Sequence, residues 1–175
     1  MTTTVKDYLK LLNKNYSDTV ADLLMKYGPA KDDYYSETSY EAFIAGKSDE
    51  LKNGDFSRYD EGLYCHHIDA NRYHNLYSPD SIREDKYPFA PQERRRLVYC
   101  NLIEHAILHT QIALATNNEF GFSELTNHLL PNIQKWYIDQ EQIMYHRDDK
   151  AYEVAYLSPE DANKLVLYMK AKVRE

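Results

Sequence analysis

Leu9, Leu12, Val20, Leu23 and Leu24 recur at helical spacing through TVKDYLKLLNKNYSDTVADLLMKYGP, which predicts two amphipathic helices. The polar Asn-Lys-Asn stretch interrupts them, Ser17 can restart the second, and Gly28-Pro29 ends it. TSYEAFIAGKSDEL offers a capping box, Thr38 with Glu41. NGDFSRYDEG then reads as a loop that leads into an extended run from Leu63 to Ile68. Residues 70–91 are rich in Asn, Asp, Pro and Tyr and keep no period, so they read as a long irregular insertion.

RRLVYC reads as a short strand and NLIEHAILHTQIALATNN as a helix, with Asn101 at the N-cap and Glu104 completing a capping box. Beyond Gly121 the pattern is helical. Pro131 is expected to open one helix through Trp136 and Ile143; Ser158, Pro159 and Asp161 open another. The expectation is an α+β, mostly helical chain forming one domain over 1–175. It has a helical region over 1–58, a small two-strand-plus-helix core over 61–117 that holds the insertion 70–91, and C-terminal helices over 122–175.

Composition narrows the function. The net charge of −7 argues against a protein that coats DNA, because that affinity comes from cationic contacts to phosphate. No apolar run approaches the length of a membrane span. The opening MTTTVKDYLK lacks the apolar stretch of a secretory signal, so a cytoplasmic protein is expected. The two cysteines, Cys65 and Cys100, form no CxxC, which excludes a disulfide framework and a four-cysteine zinc site. The 17 tyrosines either fill half-buried surface or form a binding face.

The candidate chemistry lies in four of the seven histidines. His66 and His67 are adjacent in the first strand, so their side chains face opposite ways. His105 and His109 stand four apart on the predicted helix, on one face and one turn from each other. Such a helical pair can present two ring nitrogens to one metal ion, and one strand histidine can add a third, leaving a position open for water or substrate. The other strand histidine stays free as a base. Either motif alone is more often structural. Together, in the order strand, insertion, strand, helix, they point to a metal site. Zn, Ni, Co and Mn suit imidazole ligands, with Mg ranked lower. A closed structural site would need a fourth ligand, and the thiols available are Cys65 and Cys100.

EGLYCHHID followed by LVYCNLIEHAILH resembles the HNH, or ββα-metal, endonuclease motif, most closely its colicin-DNase-type variant with paired histidines and a closing HxxxH. The resemblance spans roughly residues 61–110. It implies metal ligands at His66, His105 and His109, a general base at His67, and a divalent ion (Zn, Ni, Mn or Mg) serving DNA hydrolysis, with RNA less favoured. Glu104 matches the family's common Glu-His pair. The place of the family's middle asparagine, about nine residues before His105, holds Arg96, and Asn101 is the asparagine nearest the helix. Asn101 therefore joins His67 as a catalytic candidate, although capping alone accounts for it. Arg72, Arg94, Arg95 and Arg96 are candidate phosphate contacts; the competing expectation pairs the arginine run with Glu93, Glu84 and Asp85. His74, His128 and His146 read as structural or surface residues. A compact nuclease of this kind suits a phage or mobile element. The rival reading keeps the fold without catalysis, as a protein-binding or inhibitory module, for example an anti-defence protein, acting through the acidic, tyrosine-rich surface.

Overall fold

A capping box starts the first helix. Thr4 accepts from the Asp7 amide, Asp7 reaches back to the Thr4 amide, and helix α1 runs Val5–Leu12. Helix α2, Tyr16–Tyr27, begins one turn on. Its N-cap is Asn15, not Ser17, because the Asn15 carboxamide accepts from the Asp18 amide at 2.8 Å. Helix α3, Glu37–Ile44, likewise starts earlier than the predicted Thr38 box: Ser36 is its cap and accepts from Ser39. The computed structural model describes residues 3–174.

Two short strands, β1 (Tyr64–His67) and β2 (Leu97–Cys100), pair antiparallel, with Tyr64 opposite Cys100 and His67 opposite Leu97. The chain between them is not irregular throughout. Ser78 caps helix α4, Pro79–Asp85, and 3-10 turns occupy Ile68–Asn71 and Ala90–Gln92. Tyrosine hydroxyls from α3 and the preceding loop hold this segment by its carbonyls: Tyr35 donates to Tyr77 and Tyr40 to Tyr87. Helix α5, Leu102–Ala115, follows β2 directly from the Asn101–Glu104 capping box.

From 122 to 138 the chain stays helical, but it alternates α turns with two π segments, Leu125–Leu129 and Gln134–Ile138. Pro131 lies inside this run rather than opening it, and Ile143 falls in the non-helical link beyond. Two more helices follow, His146–Val154 and Pro159–Arg174; Ser158 caps the second by accepting from the Asp161 amide at 3.2 Å. The fold is α+β and mostly helical. No described helix is long and apolar enough to cross a membrane.

Burial follows from how α5 is surrounded. Its residues are buried on nearly every side, the pattern of a central helix rather than a surface one. α1, the 122–138 run and the C-terminal helix pack on one flank, through Leu12, Ile107, Ile133 and Met169. α2 packs on the other with β2, through Val20, Leu23, Val98 and Leu108. Strand alternation then divides the sheet. Val98 and Cys100 join Leu108 of α5, while Leu97 and Tyr99 join Ala30 and Leu63 on the opposite face.

Candidate metal centre

The same alternation separates the histidine pair. His66 lies on the face toward α5, with its ring centroid 5.2 Å from that of His105 and 5.0 Å from that of His109. His105 and His109 are 4.9 Å apart, so the three rings form a nearly equilateral triangle. One ligand atom from each lies within 4.8 Å of the others, close enough to hold a single metal ion. His67 is outside this set, as are both cysteines. The set of two helical histidines and one strand histidine expected from the spacing is therefore assembled by one strand and one helix, with His66 39 residues before His105 in the sequence.

The donor chemistry fits a cation. Nδ1 of His105 and Nδ1 of His109 are buried without a hydrogen-bond partner, a costly arrangement unless something satisfies them. Burial, and then the neighbouring imidazoles, holds His66 and His105 well below the ordinary histidine value of 6.5. Burial brings His109 to about 4, with a partial offset from the Gly121 backbone. All three rings are thus neutral near pH 7, the form that ligates metal.

A residue from outside the motif orients His66. The Tyr16 hydroxyl donates its proton to the Ile68 carbonyl at 2.8 Å. Its 2.9 Å contact with His66 Nε2 must then run the other way, with the imidazole donating. Nε2 carries the proton and Nδ1 keeps the lone pair for a ligand, the outer hydrogen bond that histidine ligands ordinarily have. Burial raises the Tyr16 pKa, so the hydroxyl stays protonated.

His67 is fixed in the same way by a residue that carries no sequence signature, Gln92. Fully buried Gln92 donates from its Nε2 to the Leu76 carbonyl at 2.9 Å, which sets the orientation of the amide. Its Oε1 accepts from His67 Nε2 at 2.8 Å. The lone pair of His67 again lies on Nδ1. Tyr34 packs on the ring with centroids 4.4 Å apart, and Tyr34 itself stacks on Phe56 at 4.0 Å. The expected pKa near 6.5 does not hold: burial lowers that of His67 to about 4, and Gln92 and Asp69 offset only part of this.

The remaining sequence candidates fall elsewhere. Asn101 is buried and fully used as a cap, accepting from the Glu104 amide at 2.9 Å and donating to the Tyr8 hydroxyl at 2.9 Å. It is not on the cavity wall described below. Glu104 is an anchor, accepting from Lys26 at 2.6 Å and Tyr27 at 2.9 Å. Arg96, nine residues before His105, clamps buried Asp69 with two guanidinium nitrogens. Arg95 pairs with Glu93, as the competing expectation had it. Glu84 and Asp85 do not take part in these pairs. Arg72 and Arg94 have exposed side chains, and none of the four arginines lines the cavity.

That cavity, about 450 Å³, opens beside the histidines. β1 and the two α5 histidines form one side. The insertion, from Tyr73 to Tyr77, forms a second, and Glu119, Gly121, Ser123 and Glu124 a third. His74, expected to be structural or on the surface, is on this wall and stacks on Phe120 at 4.4 Å. The guanidinium on the wall is Arg58, which is already bonded to Glu61 and to the Tyr27 carbonyl. No family model, curated protein or solved structure matches the chain.

Proposed function

We propose that the protein is a metal-dependent endonuclease of the HNH, ββα-metal type that hydrolyses phosphodiester bonds in DNA. One observation carries this reading. The adjacent histidines divide, so that His66 joins His105 and His109 while His67 stays outside the set with its own buried amide partner. His67 lines the same cavity as the three-histidine set, where an imidazole that ligates no ion can serve as a base.

His66, His105 and His109 would hold the ion. When bound, it supplies Lewis-acid stabilisation of charge on a phosphate oxygen and on the leaving oxygen. The protein does the rest. Gln92 holds the Nε2 proton of His67, so Nδ1 can take the proton from an attacking water as its oxygen bonds to phosphorus and the bond to the leaving oxygen breaks. Burial, which lowers the pKa of His67 to about 4, keeps it unprotonated throughout the neutral range and makes it a weaker base than a free imidazole. Zn, Ni and Mn are better suited to three imidazoles than Mg.

The test is to strip the protein with chelator and incubate it with supercoiled plasmid and with RNA across Mg, Mn, Ni and Zn, beside His67→Ala. Metal-dependent nicking that the variant loses while it still folds and binds metal is the expected result. A folded, metal-binding protein that never cleaves would move the reading to the inactive module. Two facts favour that second reading: the net charge of −7, and the commitment of Arg95 and Arg96 to carboxylates.

A further inference from the structure

We infer that the site takes a nucleotide lifted out of its base stack, so that the substrate is single-stranded or locally unpaired nucleic acid rather than intact duplex. This rests on the nuclease reading and specifies its substrate. The depth of the site is the first ground. His66 and His109 are 2 % and 7 % exposed, His105 is half-buried, and all three sit on the cavity wall. A phosphate must enter the cavity to reach them. In a stacked duplex, the strand can do this only by deforming or by extruding a nucleotide, at an energetic cost that an unpaired strand is spared.

The wall is the second ground. Tyr34, Phe56, Tyr59, Tyr64, Tyr73 and Tyr77 line a space of about 450 Å³, in the range of pockets that enclose one small-molecule-sized group. Tyr34 and Phe56 stack on each other, while Tyr77 is half exposed. Aromatic faces bind unstacked bases of any sequence. The third ground is charge. The wall bears Glu119 and Glu124, while its guanidinium, Arg58, is occupied by Glu61. Such a lining does not gather a polyanion. Stacking, rather than phosphate pairing, must supply the local affinity, so binding should depend only weakly on salt.

Tyr77 is the ring to remove. It is 48 % exposed; its carbonyl accepts the Tyr35 hydroxyl that anchors the segment, and its own hydroxyl makes one long bond, donating to Glu124 at 3.5 Å on the cavity rim. Three oligonucleotides of one sequence carry 2-aminopurine: a single strand, a blunt duplex and a duplex with an internal unpaired loop. Cleavage is followed with each of the four metals, and fluorescence quenching is followed separately on the metal-free protein. The single strand and the loop should be cut at least tenfold faster than the blunt duplex. Both should quench on binding. Tyr77→Ala should weaken that binding about tenfold and Tyr77→Trp should restore it, with thermal melting unchanged in both. Equal cutting of the blunt duplex would overturn the inference. So would quenching that Tyr77→Ala leaves intact. If no substrate is cleaved with any metal, the nuclease reading fails by itself. Quenching lost in Tyr77→Ala would then still support an unstacked-nucleotide site, and no quenching would exclude it.

Discussion

At the scale of single residues, the site depends on two partners outside the histidine motif. Tyr16 accepts the Nε2 proton of His66, and Gln92 accepts that of His67. Tyr16→Phe removes only a hydroxyl, so the fold should persist while affinity for Zn falls about tenfold, as second-sphere losses at histidine ligands do; calorimetric titration of the stripped protein checks this. Gln92→Leu leaves a buried imidazole N–H and the Leu76 carbonyl without partners. Its expected cost is about 2 kcal/mol, measured by urea denaturation, and an unchanged midpoint would show that the amide does not support the pair. Neither partner has a sequence signature. Gln92 lies between the apolar Pro-Phe-Ala-Pro stretch and the charged Glu93–Arg96 run, and Tyr16 lies 50 residues before His66.

At the scale of elements, the loop after α5 must close tightly over His109. Gly121 has φ +77°, and a Cβ there would meet the His109 carbonyl oxygen at 2.7 Å and Ile112 at 2.9 Å. Gly121→Ala combines a disfavoured left-handed backbone with a clash against fixed main chain. It should destabilise the protein by about 1–3 kcal/mol and displace the end of α5 that carries a metal ligand. Thermal melting with and without Zn tests this: the expected variant melts lower in both states and gains less from the metal. The insertion also changes meaning at this scale. Residues 70–91 carry no period, yet tyrosine hydroxyls and Gln92 fasten their carbonyls, and Tyr73–Tyr77 becomes a wall of the cavity.

For the whole molecule, three buried imidazoles, His66, His67 and His109, and the half-buried His105 make stability depend on pH. Each binds its proton less readily when folded than the ordinary value of 6.5 implies, with His67 and His109 at about 4. Between those values the unfolded chain takes up protons that the folded chain refuses. Stability from this source is therefore complete above about pH 6.5 and falls as the solution is acidified toward pH 4. Each group contributes up to about 1.4 kcal/mol per pH unit. Urea midpoints of metal-free protein should drop steeply between pH 7.5 and pH 5. Bound Zn should shift the fall, because it competes with protons for the same nitrogens and stabilises only the folded state. A flat profile would mean that these rings are not buried as neutral groups.

Local rules settled much of this protein. A period of 2 along Tyr64–His67 requires the paired histidines to face opposite ways, and a period of 3.6 along α5 requires His105 and His109 to share a face. Both follow from backbone geometry within a few residues, as does the Asn101–Glu104 cap, and all three hold in the structure. The mostly helical α+β class followed from the same periodicities. Weak local signals misplaced the starts of α2 and α3, where Asn15 and Ser36 competed with neighbouring polar residues for the cap. Only the tertiary structure could bring Tyr16 and Gln92 to the histidines, commit Arg96 to Asp69, and line a cavity with rings from four separate stretches of chain. Those contacts join residues tens of positions apart, and no sequence period connects residues that meet only after the core has packed.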